Sequence, residues 1–307
     1  MKILIAAPIR NRAWILPEYL SHLERLEYPK DKLAFHFVLN DSTDGSKGIL
    51  QTWKVVMEKE YRYVRISEVN FNYPPDLAEE GRGRERNGYP RWKYSYKALS
   101  ALRNLILNIA WLDTEADYLF SIDSDILVKP DVLNRLLEQK KEMIAALVKN
   151  DKKNAYNFLP FEFVIITDRV IEKLQNKLDT EKLKPFLYKL IDRDDLLYRL
   201  NLLGYTEKES WKIVSSCGKV EADLKETAKE RHILPGDLFK VKTTGAVVLI
   251  FRRIFSNQQI RYFPGKWGYG GEDEGFCTGA RKEGFESWVL SYLQEHIMDR
   301  NLDRNQS

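Results

Sequence analysis

The 307-residue chain has only two cysteines, Cys217 and Cys277, and neither sits in a CxxC pair. That argues against a disulfide framework or a thiolate zinc site and fits a reducing, cytoplasmic compartment. Long apolar runs are also missing. The opening MKILIAAPIR is too short for a signal peptide. No later segment reaches the roughly 20 apolar residues of a spanning helix, so no stable membrane insertion is expected. Nor is there a marked excess of one charge. Lys plus Arg number 49 against 45 Asp plus Glu, and the dispersed net charge of +4 gives no footing for nucleic-acid binding. Low-complexity segments and internal repeats are lacking. Histidine is scarce too: His22 falls in a helical pattern, His36 in a strand pattern, His232 at the end of a charged stretch, and His296 in YLQEHIM.

What is present is strand alternating with helix. Lys2 to Pro8 is short, apolar and ended by proline, which predicts a buried strand. Polar Arg10 to Arg12 follow, and Pro17, Glu18, Leu16, Leu20, Leu23 and Leu26 mark a helix. The unit repeats with a strand over Leu33 to Leu39, the turn-rich NDSTDGS from Asn40 to Ser46, and a helix through about Met57. Tyr61 to Val69 predicts a third strand, Tyr96 to Trp111 a long helix, and Tyr118 to Leu127 a fourth strand. This α/β order implies a mostly parallel central sheet. Such sheets bind ligands beyond the carboxyl ends of their strands, where Arg10 to Arg12, Asp41 and Asp123 fall.

Between the third strand and the long helix, Asn70 to Lys93 is broken by Pro74, Pro75, Gly81, Gly83 and Gly88 and predicts a loop. Its Arg82, Arg84, Arg86 and Arg91, interleaved with Tyr89 and Trp92, read first as a solvated segment, with a lid role left open. Asp131 to Gln139 predicts a short helix, and Met143 to Val148 and Phe161 to Thr167 predict strands. Residues from 168 to about 235 are charged and helical in pattern, with a capping box at Thr206 and Glu209. This insertion would cover one side of a site or form a homo-oligomer contact. Lys240 to Phe251, carrying Thr243, Thr244, Gly245 and Ala246, predicts the next strand. The organisation expected is one domain in two halves, 1–150 and 151–300, with a polar tail at 301–307.

Two stretches carry chemistry. In YLFSIDSDIL, Asp123 and Asp125 stand two apart at a strand end, so both carboxylates point one way and suit a hard divalent cation; the plain alternative is a pair of turn caps. In RYFPGKWGYGGEDEGFC, five glycines let backbone approach a ligand while Trp267 and Tyr269 offer faces on which sugars stack, or simply pack the loop. Glu272 and Asp273 then open a helix whose dipole is expected to hold them ionised, ready to accept a proton from a hydroxyl.

The order of these pieces resembles the nucleotide-sugar glycosyltransferases of the A fold (GT-A). The elements are Asp41 in NDSTDGS, Arg103 and Asn104 in the long helix, Asp123 and Asp125 in SIDSD, the TTGA strand, Glu272 and Asp273 in GGED, and His296. The family-2 enzymes look nearest, and WGYGGED is similar to the WGWGGED element of the β-1,4-galactosyltransferases. The resemblance covers most of 1–150 and 240–300 and leaves the helical insertion unmatched. It implies a GT-A, Rossmann-like sheet flanked by helices. It also implies transfer of a sugar from a UDP- or GDP-linked donor to a saccharide or other hydroxyl acceptor, with inversion. Pro8, Arg10, Arg12, Asp41, Arg103, Asp123, Ser124 and Gly245 would bind the nucleotide sugar, and Trp267, Tyr269 and Gly271 the acceptor. Asp273, assisted by Glu272, would be the base, while Asp123, Asp125 and His296 would hold Mn²⁺ or Mg²⁺. Asn40 stands where many family members carry another aspartate, and Arg10 to Arg12 is unusually basic, so the nucleobase is not indicated. The rival readings are a sugar nucleotidyltransferase, against which the absence of glycine between Pro8 and Arg12 counts, and a non-catalytic nucleotide-sugar-binding module.

Overall fold

Alternating apolar strands and one-sided helices bury best as a helix-covered parallel sheet, and the chain does this. The structure is a computed structural model and describes residues 1–71, 91–150, 155–159, 163–220, 235–263 and 271–297. The chain divides into two compact units, Met1–Leu159 with Leu234–Ser307, and Pro160–Ile233.

In the larger unit, β1 (Ile3–Ile9), β2 (Leu33–Asn40), β3 (Val64–Val69) and β4 (Tyr118–Ile122) run parallel, with β1 between β2 and β4. Beyond β4 lie β14 (Val247–Phe251), β6 (Met143–Asn150), β15 (Ser287–His296) and β12 (Leu238–Val241), in that order. Of these, β14 and β12 run against the rest, so the sheet is mixed but mostly parallel. Short strands β5 (Ile126–Leu127) and β7 (Ala155–Tyr156) attach to β15 and β6.

Both faces of β1 and β2 are buried because helices cover each. On one face Phe35 and Phe37 meet Tyr19 of α1 (Leu16–Glu24) and Trp53 of α2 (Ser46–Met57) at ring separations of 5.2 to 6.5 Å. Edge-to-face aromatic pairs of this kind add about 0.5–1.5 kcal/mol to simple burial. α3 (Arg91–Leu112), which also contacts β1 and β2, buries Leu102, Ile106, Leu107 and Ala110. α4 (Val132–Glu138) packs on β6.

Several expectations need correcting. Pro8 does not end β1. The β4 ladder stops at Ala6, while β2 continues alongside to Ile9, so a residue without an N–H costs nothing on the β4 flank. The long helix starts five residues earlier than expected, at Arg91; the remaining arginines and Tyr89 of the preceding loop lie outside the described residues. The expected strand over Lys240 to Phe251 is broken into β12, β13 (Thr243–Thr244), which pairs instead with β8 (Phe158–Leu159), and β14; Ala246, left-handed with φ 67°, separates the last two.

The smaller unit holds α5 (Asp168–Leu174), α6 (Arg193–Leu202) and α7 (Glu207–Ser216). The Thr206–Glu209 capping box is formed at the start of α7. Contrary to the expectation of a helical insertion, this segment is not purely helical. β9 (Phe163–Ile165) is flanked by antiparallel β10 (Leu190–Asp192) and β11 (Gly218–Val220), strands too short to show a period of two.

Candidate active site

The carboxyl ends of β1, β2 and β4 gather the loops expected to bind ligand. Asn11 accepts from Thr43 N at 2.8 Å, Arg12 N donates to Ser46 Oγ at 2.8 Å, and Ala13 N to Asp44 Oδ2 at 2.9 Å. The segment after β1, Asn11 to Ala13, is thereby tied to NDSTDGS. Asp41 and Asn11 hold left-handed backbone, with φ 39° and 47°, in the residue types that tolerate it most readily after glycine. The Asp41 carboxylate is engaged by Asn40 Nδ2 at 2.8 Å and Phe71 N at 3.0 Å.

Asp123 and Asp125 lie in a turn between β4 and β5, not on extended chain. Ile126 N closes that turn on Asp123 O at 3.1 Å, so the alternation that would aim both carboxylates alike is lost. Each finds a different cation. Arg103 of α3 donates to Asp123 Oδ1 at 2.7 Å, and Arg12 Nη2 lies 3.3 Å from Asp125 Oδ2, with His296 Nε2 3.8 Å from the same oxygen. His296 is brought there because it is paired across strands with Ile126.

Arg103 is the hub. Its side chain is 4% exposed and also donates to Glu272 Oε1 at 3.1 Å, while Asp273 Oδ1 stands 3.9 Å away. Burial works against its charge, but Asp123, Asp273 and Glu272 together hold its pKa well above the usual arginine value. One cation cannot neutralise three carboxylates. Burial first, and then the negative charges of Glu272 and Asp123, outweigh Arg103 and push the Asp273 carboxyl up to about 7. The helix dipole therefore does not keep the Asp273 carboxyl in the ordinary range, since desolvation and like charge exceed what a helix end supplies. Burial also raises Asp123, against the pull of Arg103. For Asp125 burial acts the same way, yet the His296 hydrogen bond and Arg12 prevail and hold its pKa below the ordinary value.

After the short α8 (Arg252–Phe255), Glu272 and Asp273 open α9 (Glu272–Lys282), whose start is fixed by two contacts. A Cβ on Gly275 would overlap the Phe263 carbonyl oxygen and stand 2.9 Å from its carbon, so only glycine admits this approach. The Tyr262 ring stacks on Phe276 at 4.2 Å, and Asn104 clamps the Tyr262 backbone through two 2.8 Å hydrogen bonds. Across the site, Asn157 donates to Ala146 O and Gly245 O and accepts from Val148 N, at 2.7 to 3.0 Å. It ties β6 to the TTGA segment. Asp123 N in turn donates to Ala246 O at 2.8 Å.

A cavity of about 350 Å³ results, lined by Arg103, Asp123, Asp125, Gly245, Glu272, Asp273 and His296 together with Asn157, Thr243 and Thr244. Its lining does not include Pro8, Arg10, Asp41, Ser124 or Gly271, and Arg12 reaches it only through Asp125. Trp267 and Tyr269 lie outside the described residues. Asn157, which no sequence pattern singled out, is the main addition; an asparagine between two-residue strands leaves no periodic trace. Among the described residues no three His, Cys, Asp or Glu side chains are arranged to hold a metal ion. The donor chemistry of Asp123, Asp125 and His296, two carboxylates and an imidazole on one cavity, nevertheless suits Mn²⁺ or Mg²⁺.

A mostly parallel sheet with this carboxylate cavity at its carboxyl edge is the arrangement of the GT-A nucleotide-sugar glycosyltransferases. In agreement, the structure of GalNAc-T7 with UDP, GalNAc and Mn²⁺ shares the fold, with a TM-score of 0.50 over 97% of this chain and 44% of that one at 12% identity. The chain belongs to glycosyltransferase family 25: the model described as "Glycosyltransferase family 25, N-terminal domain" matches residues 1–160. Procollagen galactosyltransferase 1-A of Xenopus laevis is 30% identical over 157 residues, half of this chain and 24% of that protein. Human procollagen galactosyltransferase 2 is 29% identical over 152 residues, 48% of this chain and 22% of that protein. The matched segment thus spans about a quarter of these relatives' length. The family is therefore 25 rather than family 2, and the A-fold class expected from the sequence stands.

Proposed function

We propose that the protein transfers a sugar from a nucleoside-diphosphate sugar to an acceptor hydroxyl, with Asp273 as the general base. The observation that carries this reading is the clustering of Asp273, Glu272 and Asp123 around Arg103 on a cavity of about 350 Å³, where burial and like charge raise the Asp273 carboxyl to about 7. A carboxyl in that range is a far better proton acceptor at neutral pH than an ordinary aspartate, and general-base help of this kind contributes typically about 10²–10⁴-fold. Arg103 keeps the cluster from losing its charge altogether and orients Asp123 and Glu272. Thr243 Oγ, buried in the cavity wall and without a hydrogen-bond partner, is available to a donor hydroxyl.

Asp123, Asp125 and His296 would hold Mn²⁺ or Mg²⁺. Such a cation, when bound, offsets the charge of a departing diphosphate. Full activity after exhaustive chelation would remove that part of the proposal. In-line attack assisted by Asp273 inverts the anomeric centre, so NMR detection of a retained configuration in the product would take Asp273 out of the role. Because the relatives are named galactosyltransferases, UDP-galactose is the first donor to try. The direct experiment is a thermal-shift screen of UDP- and GDP-sugars with Mn²⁺. A donor that binds only the native state raises its stability with occupancy, by about 2.7 kcal/mol at a hundred times Kd. Stabilisation by nucleoside triphosphate plus sugar phosphate, and by no nucleotide sugar, would favour the nucleotidyltransferase instead.

A further inference from the structure

We infer that the amino-terminal edge of the sheet, opposite the candidate active site, carries a second binding site, for a small organic phosphate. A cavity of about 700 Å³ opens there, between the starts of β1 and β3 and the end of α3. Pockets of roughly 300–1,000 Å³ are the size that encloses small ligands. Its walls include His36, Arg62, Tyr63 and Arg65, with Ile109 and Leu112 on one side.

The charges in this cavity are not all spoken for. Arg62 is held by Asp113 at 3.0 Å and Glu115 at 2.8 Å, and Lys2 by Glu115 at 2.6 Å. Arg65 has no carboxylate within reach among the described residues; its guanidinium lies over the Tyr63 ring, 4.6 Å from the centroid. Tyr63 is fixed by its hydroxyl, which donates to Asp113 Oδ2 at 2.6 Å. The cation is thus held in position by a rigid aromatic platform while its donors remain unused, the planar fork that suits a phosphate.

His36 supplies the second, independent feature. It stands beside Arg65 in the β2–β3 register and is 7% exposed. Its Nε2 is bonded to Ser67 Oγ at 2.7 Å, but Nδ1 is buried with no hydrogen-bond partner. An unmet buried polar atom is costly, and the surrounding sheet gives it nothing to bond. Burial and the Arg65 charge push the His36 pKa down to about 4, so the ring is neutral. In the tautomer in which Ser67 Oγ donates to Nε2, the proton sits on Nδ1. A phosphate oxygen taking that proton as a hydrogen bond, with Arg65 neutralising its charge, satisfies both groups at once. Ile109 and the exposed Leu112 then face whatever organic group the phosphate bears.

The test is a titration of isotopically labelled full-length protein with phenyl phosphate and, separately, inorganic phosphate, following the His36 ring by NMR and assigning it with His36→Asn. A saturable shift is expected, with phenyl phosphate bound more tightly than inorganic phosphate. Arg65→Ala, at an exposed side chain and so without risk to folding, should weaken binding by about tenfold or more, since charge-assisted hydrogen bonds are worth about 1.5–3 kcal/mol. Arg65→Lys should restore part of the loss. Asp125→Asn, at the opposite sheet edge, should leave the His36 titration unchanged. No saturable shift, equal affinity in Arg65→Ala, equal affinity for the two phosphates, or loss of the shift in Asp125→Asn would each overturn the assignment.

Discussion

Gly245 and Asp273 approach so closely that a Cβ on Gly245 would overlap Asp273 Oδ2 and stand 2.5 Å from its Cγ. The TTGA turn and the start of α9 are therefore parts of one surface, and the carboxylate position is set by the absence of a side chain opposite. Gly245→Ala should displace Asp273 while leaving the core intact. A displacement near 1 Å at a reacting group costs about 10²-fold in turnover. Steady-state kinetics should find that loss with a near-native melting temperature; full activity in the alanine variant would mean that Asp273 is not held where its role needs it.

Asp273 also makes stability depend on pH in a definite direction. Its carboxyl titrates near 7 in the folded chain against an ordinary value of 3.8. Between those values the folded state keeps a proton that the unfolded state has released. The contribution is complete below the lower value and is lost as pH rises through about 7. Urea unfolding should therefore find wild type losing stability relative to Asp273→Asn between about pH 5 and pH 8. The opposite trend would contradict the raised pKa.

Arg103 binds carboxylates that are 20 and 169 positions away in sequence. Arg103→Ala strands Asp123 and Glu272 without their buried cation, which should cost about 3–5 kcal/mol. The loss should be smaller in acid, where the carboxyls take up protons. Chemical denaturation at two pH values checks both the size and the pH dependence; a loss independent of pH would point to lost packing alone.

Asn157 holds three backbone groups from two segments. Asn157→Ala leaves Val148 N–H, Ala146 O and Gly245 O without this partner and should destabilise the larger unit by about 2 kcal/mol or more. It should also raise KM for the donor, because the TTGA segment loses its tie to β6. Unaltered unfolding would contradict this role.

These predictions rest unevenly on what the sequence revealed. The sheet, its mostly parallel sense and the helices over it were legible, because apolar runs such as Leu33 to Leu39 and the leucines of α1 carry clear periods. Legible too were the chemical types at the site: Asp123, Asp125, Asp273 and His296 do share one cavity. Their states were not legible. That Asp123 and Asp125 turn to different arginines depends on a turn closed by Ile126, and the protonation of Asp273 depends on burial and on Asp123, a residue 150 positions away. Such facts arise only once distant segments are packed together. Of the short strands in the smaller unit, β9 was legible within Phe161 to Thr167, while β10 and β11 stayed hidden for a simpler reason, since three residues show no alternation.

The most direct test of the catalytic proposal is nucleoside-diphosphate release from the donor that the screen identifies, with acceptor and Mn²⁺ present, for wild type and Asp273→Asn across pH. The account predicts that wild-type kcat/KM rises with pH through about 7 as Asp273 ionises. The asparagine variant should still bind donor but turn over about 10²–10⁴-fold more slowly, with that pH dependence gone. Equal turnover by the two proteins, or an unchanged pH profile in the variant, would contradict it.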